Sequence, residues 1–541
     1  MQQTIVSYQL AGSAQPLSVW PDQAEAHYKR AGTLKDERRF DEALAAFDNA
    51  IALKADYAQA YNGRGIVLAS VNRLAEAVGS FDRAIALNPD YAEAHNNRAL
   101  VLQDLGRLEE ALTSLDRAIA LQPGNARAHN NRGVVLHGLK RDAGALASHD
   151  KAIALETDYA EAHYNRGIVL HELDRLDDAL ASFDRAVALK PAYAAAHNNR
   201  GSVLHDLNRL DEALAAFDKA LALTGGFAEA CLNKSYCLLR MGRFDDGWRL
   251  HEWRKSTERP VANRSFPQPL WLGNEDVADK TVFVHWEQGF GDTLLFCRYA
   301  SLLRERGASV AMSVQEPLHR LLSRSMPDIR FLTNDVVPAA FDYHCALLSL
   351  PLAFKTTLQS VPAAVPYLFA DDERRSIWDA RLPPPAKPRI GLAWSGNAKQ
   401  KNDFNRSIGL AALAPILATD AHWVSLQKEV RDIDRSLLAN FPQISHYGEL
   451  LADFSDTAAV IASMDLIITV DTSVAHLAGA MGKPVWILLA YTADWRWLTD
   501  RDDCPWYPTA RLFRQQAPHA WEAVVARVNE ALASCKSTIT P

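Results

Sequence analysis

AQAYNGRGIVLASVNRLAEAVGSFDRAIALNPDY, residues 58–91, is followed without a break by AEAHNNRALVLQDLGRLEEALTSLDRAIALQPGN, residues 92–125. Both stretches carry alanine at their first and third positions and Arg-Ala-Ile-Ala-Leu shortly before their ends, Arg83–Leu87 and Arg117–Leu121. The same register extends over seven blocks of 34 residues, opening at Ala24, Ala58, Ala92, Ala126, Ala160, Ala194 and Ala228 and closing at Val261. A fixed period of this length predicts one helix–turn–helix unit per block. One unit cannot bury its own apolar face, so neighbours must stack into a curved rod with a long concave surface. Such rods bind extended polypeptides or partner proteins, so any chemistry in the remaining residues is expected to act on a macromolecule.

Small residues recur where the helices of a block must approach: Ala43, Ala77, Ala111, Ala145, Ala179 and Ala213, and seven residues later Ala50, Ala84, Ala118, Ala152, Ala186 and Ala220. Phe47, Phe81, Phe183 and Phe217 fill the space between, and Pro89, Pro123 and Pro191 stop the second helix. These positions resemble the tetratricopeptide repeat (TPR) family across all seven blocks. The tryptophan often found early in that pattern is replaced by His27, Tyr61, His95, His129, His163 and His197. In the last block Gly247 and Arg254 replace the two alanines, which predicts a cap joined to the next domain.

Three polar ladders run through the blocks. Arg30, Arg64, Arg98, Arg132, Arg166 and Arg200 match Asp48, Asp82, Asp116, Asp150, Asp184 and Asp218 in copy number, which predicts arginine–aspartate pairing. Asn97, Asn131, Asn165, Asn199 and Asn233 recur on the first helix, the concave wall of TPR folds. An amide donates and accepts, so this ladder either grips a peptide backbone as an acceptor groove or bonds neighbouring repeats to one another. A similar asparagine ladder lines the TPR superhelix of protein O-GlcNAc transferase, which these blocks resemble.

The chain has 541 residues, room for two to four domains, with 48% hydrophobic and 23% charged residues. A net charge of −7 argues against bulk nucleic-acid binding. Six scattered cysteines lack metal-ligand spacing and are expected to be reduced and mostly buried. The first residues lack a basic segment followed by an apolar core, and no run of about 18 apolar residues is present to span a bilayer. The expectation is a cytoplasmic protein with no transmembrane segment, in which residues 1–23 form a leader.

After Val261 short apolar runs alternate with helical segments, the pattern of parallel α/β structure. Strands are predicted at 280–286, 309–314, 389–394, 423–427, 466–470 and 485–489, and a helix at 292–306. Leu382–Pro388 (LPPPAKP) is a linker between lobes at 262–381 and 388–541. Ligands bind such sheets outside the carboxyl ends of the strands. Three turns sit there. Glu287-Gln-Gly-Phe-Gly-Asp292 places Asp292 at a helix N-terminus, as either a helix cap or a reactive carboxylate. Trp394-Ser-Gly-Asn397, followed by Lys399, Lys401 and Arg406, suits phosphate oxygens or is a solvated charge run. Asp471-Thr-Ser-Val-Ala-His476 sets two hydroxyls and free amides at a helix start, where the dipole favours an anion.

Together the three turns resemble the inverting, metal-independent GT-B glycosyltransferases, above all the ADP-heptose lipopolysaccharide heptosyltransferase family. The resemblance implies a catalytic base at Asp292 and donor-phosphate binding at Asp471, Thr472, Ser473 and His476. It also implies a cationic clamp at Arg406, or second at Lys401. Ser395, Asn397 and Gln427 complete the candidate donor-binding set. With the Asp494-Trp-Arg-Trp497 and Pro505-Trp-Tyr-Pro508 segments, the whole pattern is similar to bacterial TPR–glycosyltransferases, some of which modify flagellin. Asp500-Arg-Asp502 spells a metal motif of another glycosyltransferase class but lies far from any glycine-rich turn, so a surface loop and no metal are expected. The expected fold is a TPR solenoid followed by a two-lobed GT-B-like domain. The expected activity is inverting transfer of a sugar from a nucleotide-sugar to Ser or Thr hydroxyls of a protein held by the repeats. A glycan or lipid acceptor, and a non-catalytic scaffold, stay open as alternatives.

Overall fold

The computed structural model describes residues 19–257, 264–384, 386–399 and 403–534. Residues 1–18 of the expected leader, Val261, Lys401 and Cys535 lie outside the described residues. Two compact units divide the chain, Met1–Val203 and Leu204–Pro541.

The first unit is helical. Its pairs are Val19–Asp36 with Phe40–Leu53, Ala58–Ser70 with Leu74–Leu87, Ala92–Asp104 with Leu108–Leu121, Ala126–Gly138 with Asp142–Leu155, and Ala160–Glu172 with Leu176–Leu189. Each first helix ends before a residue in the left-handed region, at Arg38, Asn72, Gly106, Lys140 and Asp174, which terminates the helix and turns the chain back. The small residues behave as expected: Ala43, Ala77, Ala111, Ala145 and Ala179 have no exposed surface, because the partner helix lies directly on them.

The ionic ladder is present with a defined register. Arg64, Arg98, Arg132, Arg166 and Arg200 each donate Nε–H to the aspartate sixteen residues earlier, at 2.5–2.7 Å. In four of them Nη1 reaches a serine of the following helix, Ser80, Ser114, Ser148 or Ser182. Arg30 falls outside this register, since Ala14 stands sixteen residues before it. The aspartates are half exposed, so each pair adds little energy; the ladder mainly fixes helix register.

The asparagines bond between repeats. Asn97 donates to Asn62 at 3.1 Å, Asn131 to Asn96 and Asn165 to Asn130 at 3.0 Å, and Asn199 to the Tyr164 hydroxyl at 3.2 Å. One amide N–H of each is therefore committed to the repeat before it.

The second unit begins at Leu204, inside the repeat pattern. Helices Leu210–Leu223, Ala228–Arg240 and Phe244–His251 and a 3-10 turn at Glu252–Lys255 lead into the α/β region. Lys234 replaces the ladder arginine and pairs with Asp218 at 2.5 Å. The degenerate block is what joins them. Trp248 donates its indole N–H to the Thr356 carbonyl at 3.0 Å. Arg254 is fully buried and donates to Glu252 at 2.7 Å, Glu287 at 2.8 Å and Ser349 at 2.8 Å. Glu287 is itself buried and also accepts from the Leu348 N–H at 3.2 Å. Alanine at 254 could make none of these bonds, which explains why the repeat consensus breaks there.

Strands β1 (Thr281–His285), β2 (Ser309–Val314), β3 (Arg330–Thr333) and β4 (Tyr343–Ala346) form an all-parallel sheet in the order β3-β2-β1-β4. Strands β5 (Arg389–Ala393), β6 (His422–Ser425), β7 (Ile444–His446), β8 (Leu466–Val470), β9 (Val485–Leu489) and β10 (Ala510–Arg514) form a second, in the order β10-β9-β8-β5-β6-β7. Two parallel sheets fit the GT-B-like expectation. Three details differ from the sequence reading. The helix expected over 292–306 is two, Phe290–Phe296 and Arg298–Glu305, meeting at Cys297. It starts before Asp292, because Gly289 is the N-cap. Helix Asp372–Asp379, placed by sequence in the first lobe, packs on helix Phe454–Ala462, where Trp378 Nε1–H donates to Asp456 at 3.0 Å and Arg374 pairs with the same carboxylate. The five described cysteines are free and buried. Among the described residues no helix is long and apolar enough to cross a membrane.

Removing one partner of the Arg254–Glu287 pair leaves a buried charge unpaired. Arg254→Ala should cost about 3–5 kcal/mol, and the double variant Arg254→Met/Glu287→Leu should recover most of it. Chemical denaturation of the full chain measures both.

Candidate active site

In each sheet the strand order reverses next to an early strand, between β1 and β4 and between β5 and β8. Loops leaving those strands at their carboxyl ends diverge and leave a crevice. Here a cavity of about 790 Å³ opens within the second unit. Its walls come from the turn after β1, the loop after β5, the end of β6 and the turn after β8. Asp292, Ser395, Asn397, Arg406, Gln427, Asp471, Thr472, Ser473 and His476 all line it. The three turns separated by up to 179 positions in sequence thus face one space.

Asp292 is the third residue of its helix. Its Oδ2 accepts the Gly289 N–H at 3.0 Å, which fixes the turn, while Oδ1 takes a guanidinium N–H of Arg496 from the second lobe. Arg496 donates at the same time to Asp494 at 2.7 Å and lies over the Trp495 ring at 4.3 Å. Burial raises the Asp292 pKa, Asp494 adds to the rise, and Arg496 opposes it. Burial works against charge on Arg496, but Asp292 and Asp494 outweigh it and hold the guanidinium firmly protonated.

The opposite wall combines a helix start with a guanidinium. Thr472 caps helix Ser473–Ala480 by accepting the Val474 N–H at 3.3 Å, and its hydroxyl is 3.3 Å from that of Thr469. The helix start therefore points its amides at the cavity. Arg406 is steered there by Asp403 at 3.2 Å and by the Asp471 carbonyl at 3.3 Å. Asp403 also pairs with Arg431 and accepts from the Ser407 hydroxyl. A Cβ on Gly396 would stand 2.4 Å from Arg406 Nη2 and 2.6 Å from Asp403 Oδ1, so only glycine admits the clamp so close to the loop. Desolvation together with Asp494 pushes the Asp471 pKa up to about 6.

Two expected ligand residues have mainly structural contacts. Gln427 accepts from the backbone N–H groups of Trp394 and Ser395 at 3.3 and 3.2 Å. It donates to the carbonyls of Ser395 and Glu429 at 3.0 Å, so it shapes the loop after β5. His476 is buried, stacked on Trp497 with centroids 5.2 Å apart, and bonded through Nδ1 to the Tyr507 hydroxyl at 3.0 Å. Burial first, then Arg496 and Arg298, hold it neutral. Asn397 caps its own loop through the Lys399 N–H at 3.0 Å. Ser395 is different: its hydroxyl is buried at the cavity wall with no hydrogen-bond partner.

Sequence reasoning quoted the Asp494–Trp497 segment but gave Arg496 no role. The signal was available: an arginine between two tryptophans in an apolar context needs a carboxylate to be buried.

Comparison with known proteins places these features. Residues 445–531 match the model of glycosyltransferase family 9 (heptosyltransferase). The match takes in Asp471–His476 and Asp494–Tyr507 and stops short of Asp292, Ser395 and Arg406. Tetratricopeptide repeat models match residues 67–106, 103–140, 150–194 and 164–226. Protein FlbA of Caulobacter vibrioides is 26% identical over 313 residues, covering 53% of this chain and 52% of that protein. The chain thus spans about half the length of the curated relative it matches. Among solved structures, the TPR protein YrrB is 27% identical over 34% of this chain and 95% of its own, with a TM-score of 0.29. PilF of Pseudomonas aeruginosa is 18% identical over 39% of this chain and 96% of its own, with a TM-score of 0.36.

The lobes also meet at Gly291. A Cβ on Gly291 would come within 2.7 Å of His476 Cδ2, and the imidazole is wedged between Trp497 and Tyr507. Gly291→Ala should therefore lower stability by about 1–3 kcal/mol, as overpacking does. Thermal melting of the full chain checks this, and an unchanged melting temperature would place the two turns farther apart. The chain is thus similar to tetratricopeptide repeat proteins over its helical blocks and to glycosyltransferase family 9 (heptosyltransferase) over residues 445–531.

Proposed function

We propose that this chain is an inverting glycosyltransferase of GT-B type that moves a sugar from a nucleotide-activated donor to Ser or Thr hydroxyls of a protein acceptor. The observation that carries the reading is Asp292, a largely enclosed carboxylate of one lobe lining the same crevice as Arg406 and the start of helix Ser473–Ala480 of the other.

In the proposed step the acceptor hydroxyl oxygen attacks the anomeric carbon. Asp292 takes the hydroxyl proton, the carbon–oxygen bond to phosphate breaks, and its electron pair leaves with the nucleotide. A serine hydroxyl is a poor nucleophile near neutral pH, so a positioned base contributes about 10²–10⁴-fold. A carboxyl whose proton affinity is raised by burial is a better base than one in water, provided it remains ionised at the working pH. Arg496 serves that condition by favouring the carboxylate.

The leaving phosphate gains charge as the bond breaks. Arg406, the hydroxyls of Thr472 and Ser473 and the N-terminus of helix Ser473–Ala480 would stabilise that charge in the place a metal ion takes elsewhere. Asn397 would add hydrogen bonds on the β5 side. His476, neutral and fixed, would orient the turn and carry no charge to the donor. Asn97, Asn131 and Asn165 of the asparagine ladder would add contacts to an extended acceptor through amide atoms not used in their inter-repeat bonds.

Asp292→Asn removes the base and keeps the shape. Transfer to a candidate protein acceptor such as flagellin should fall by about 10²–10⁴-fold. Thermal shifts with UDP, GDP, ADP and CMP should persist, because bound ligand raises the melting temperature by mass action. Unchanged transfer would end the reading. Loss of the nucleotide shift together with transfer would move Asp292 from base to donor ligand.

A further inference from the structure

The first lobe and one face of the second sheet share a core. Leu294, Phe296 and Leu303 of the first lobe and Leu477, Trp495 and Trp506 of the second belong to one buried cluster. Ring contacts carry it across the boundary. Phe296 meets Trp506 edge to face at 5.7 Å and stacks on Trp495 at 6.3 Å. Neither Phe296 nor Trp506 has exposed surface. The degenerate repeat block enters the same place. Trp248 meets Phe296 at 6.5 Å and Trp495 at 5.2 Å, and Phe244 stacks on Trp506 at 6.1 Å.

A cation is sealed into this boundary. Arg298, at the start of helix Arg298–Glu305, is 5% exposed. Its Nε–H donates to the Leu295 carbonyl of its own lobe at 3.0 Å, and Nη1 to the Trp506 carbonyl of the other lobe at 3.0 Å. Nη1 also reaches the Pro362 carbonyl, and Nη2 donates to the Tyr367 hydroxyl at 2.6 Å. The guanidinium lies 4.2 Å from the Tyr367 ring and 5.0 Å from the Tyr507 ring. Tyr367 ties the lobes a second time. Its hydroxyl donates to the Leu294 carbonyl at 2.8 Å, and its backbone N–H donates to the Ala480 carbonyl at 2.9 Å. Tyr507 in turn holds His476, whose ring packs on Gly291.

Many two-lobed enzymes close on a ligand by a hinge movement. A hinge needs an interface that separates at little cost. Swinging these lobes apart would strip Arg298 of the Trp506 carbonyl and the Tyr507 ring, and would bring Phe296 and Trp506 into water. The polar and the apolar contributions therefore oppose opening together.

We infer that the two lobes are locked at a fixed angle, with Arg298 as a positioning residue at the lock, so that the crevice takes its ligand without lobe closure. Asp292 and the start of helix Ser473–Ala480 then keep their separation in the free protein, and a ligand enters and leaves through the mouth of the crevice. The inference stands on packing and does not depend on what the crevice binds.

The test uses the full chain. Glu305 and Glu522 are exposed, on helices Arg298–Glu305 of the first lobe and Trp521–Ser534 of the second. Glu305→Cys/Glu522→Cys is prepared with Cys535→Ser, since the other native thiols are buried, and spin-labelled at both introduced positions. Double electron–electron resonance reads the distance between the labels. One narrow distribution is expected in the free protein, moved by less than about 2 Å by UDP, GDP, ADP or CMP. A second, longer distance in the free protein, or a larger shift with any nucleotide, would overturn the lock. Arg298→Met in the labelled protein should broaden the distribution. Parental width in that variant, once shown to be folded, would overturn the part given to Arg298. Thermal melting with the same nucleotides is read separately: no shift with any of them would count against the donor reading, while the free-protein distance still decides the lock.

Discussion

One guanidinium holds the two sides of the crevice in their working relation. Arg496 bonds Asp292 of the first lobe and Asp494 of its own, while its plane rests on Trp495. Without it, the carboxylates of Asp292 and Asp494 would face each other uncompensated, and the proton affinity of Asp292 would rise further. Lysine could not replace it: a point charge cannot present two parallel sets of N–H groups to two acids while stacking on an indole. The interaction carries a chemical constraint as well. Asp292 can serve as a base only while its ion pair is loose enough to let a hydroxyl approach. On the proposed reading, a donor phosphate arriving beside Arg406 and Arg496 would compete for the same cation.

The position of Arg496 depends in turn on how the repeat pattern ends. In the first unit the arginine–aspartate pairs of the ladder and the asparagine bonds between first helices join one repeat to the next, and all are at least partly exposed. In the second unit the same chemistry is redirected. Arg254, at a position that other blocks fill with alanine, is sealed in contact with Glu287, five residues before Asp292. Trp248 enters the core that contains Phe296 and Trp495. The last block has therefore exchanged repeat stacking for attachment to the turn after β1 and to the segment that presents Arg496.

Much of this was legible in the sequence, and the parts that were not share a physical cause. The 34-residue period gives the helix pairs directly. Six strands were found, and all are interior strands, β1, β2, β5, β6, β8 and β9, whose two covered faces demand unbroken apolar runs. The four missed strands, β3, β4, β7 and β10, are the edges of their sheets. Arg330–Thr333 and Ile444–His446 are short and partly exposed, so no run marks them. Within the site, turn chemistry identified the residues lining the crevice. It could not assign Gln427 or His476 to structural contacts, because those contacts come from residues distant in sequence. Arg496 was missed for the same reason, since its partner Asp292 lies 204 positions away.

The most direct measurement of the central claim is the pH dependence of transfer by the parent and by Arg496→Gln at saturating donor. Arg496 lowers the proton affinity of Asp292, so its removal raises the pKa of the base. The account predicts that the acid limb of the rate profile moves to higher pH by about one unit or more, a shift worth roughly 1.4 kcal/mol per unit. An acid limb at the same pH in both proteins would contradict it, because the carboxylate that Arg496 holds would then not be the group that removes the proton.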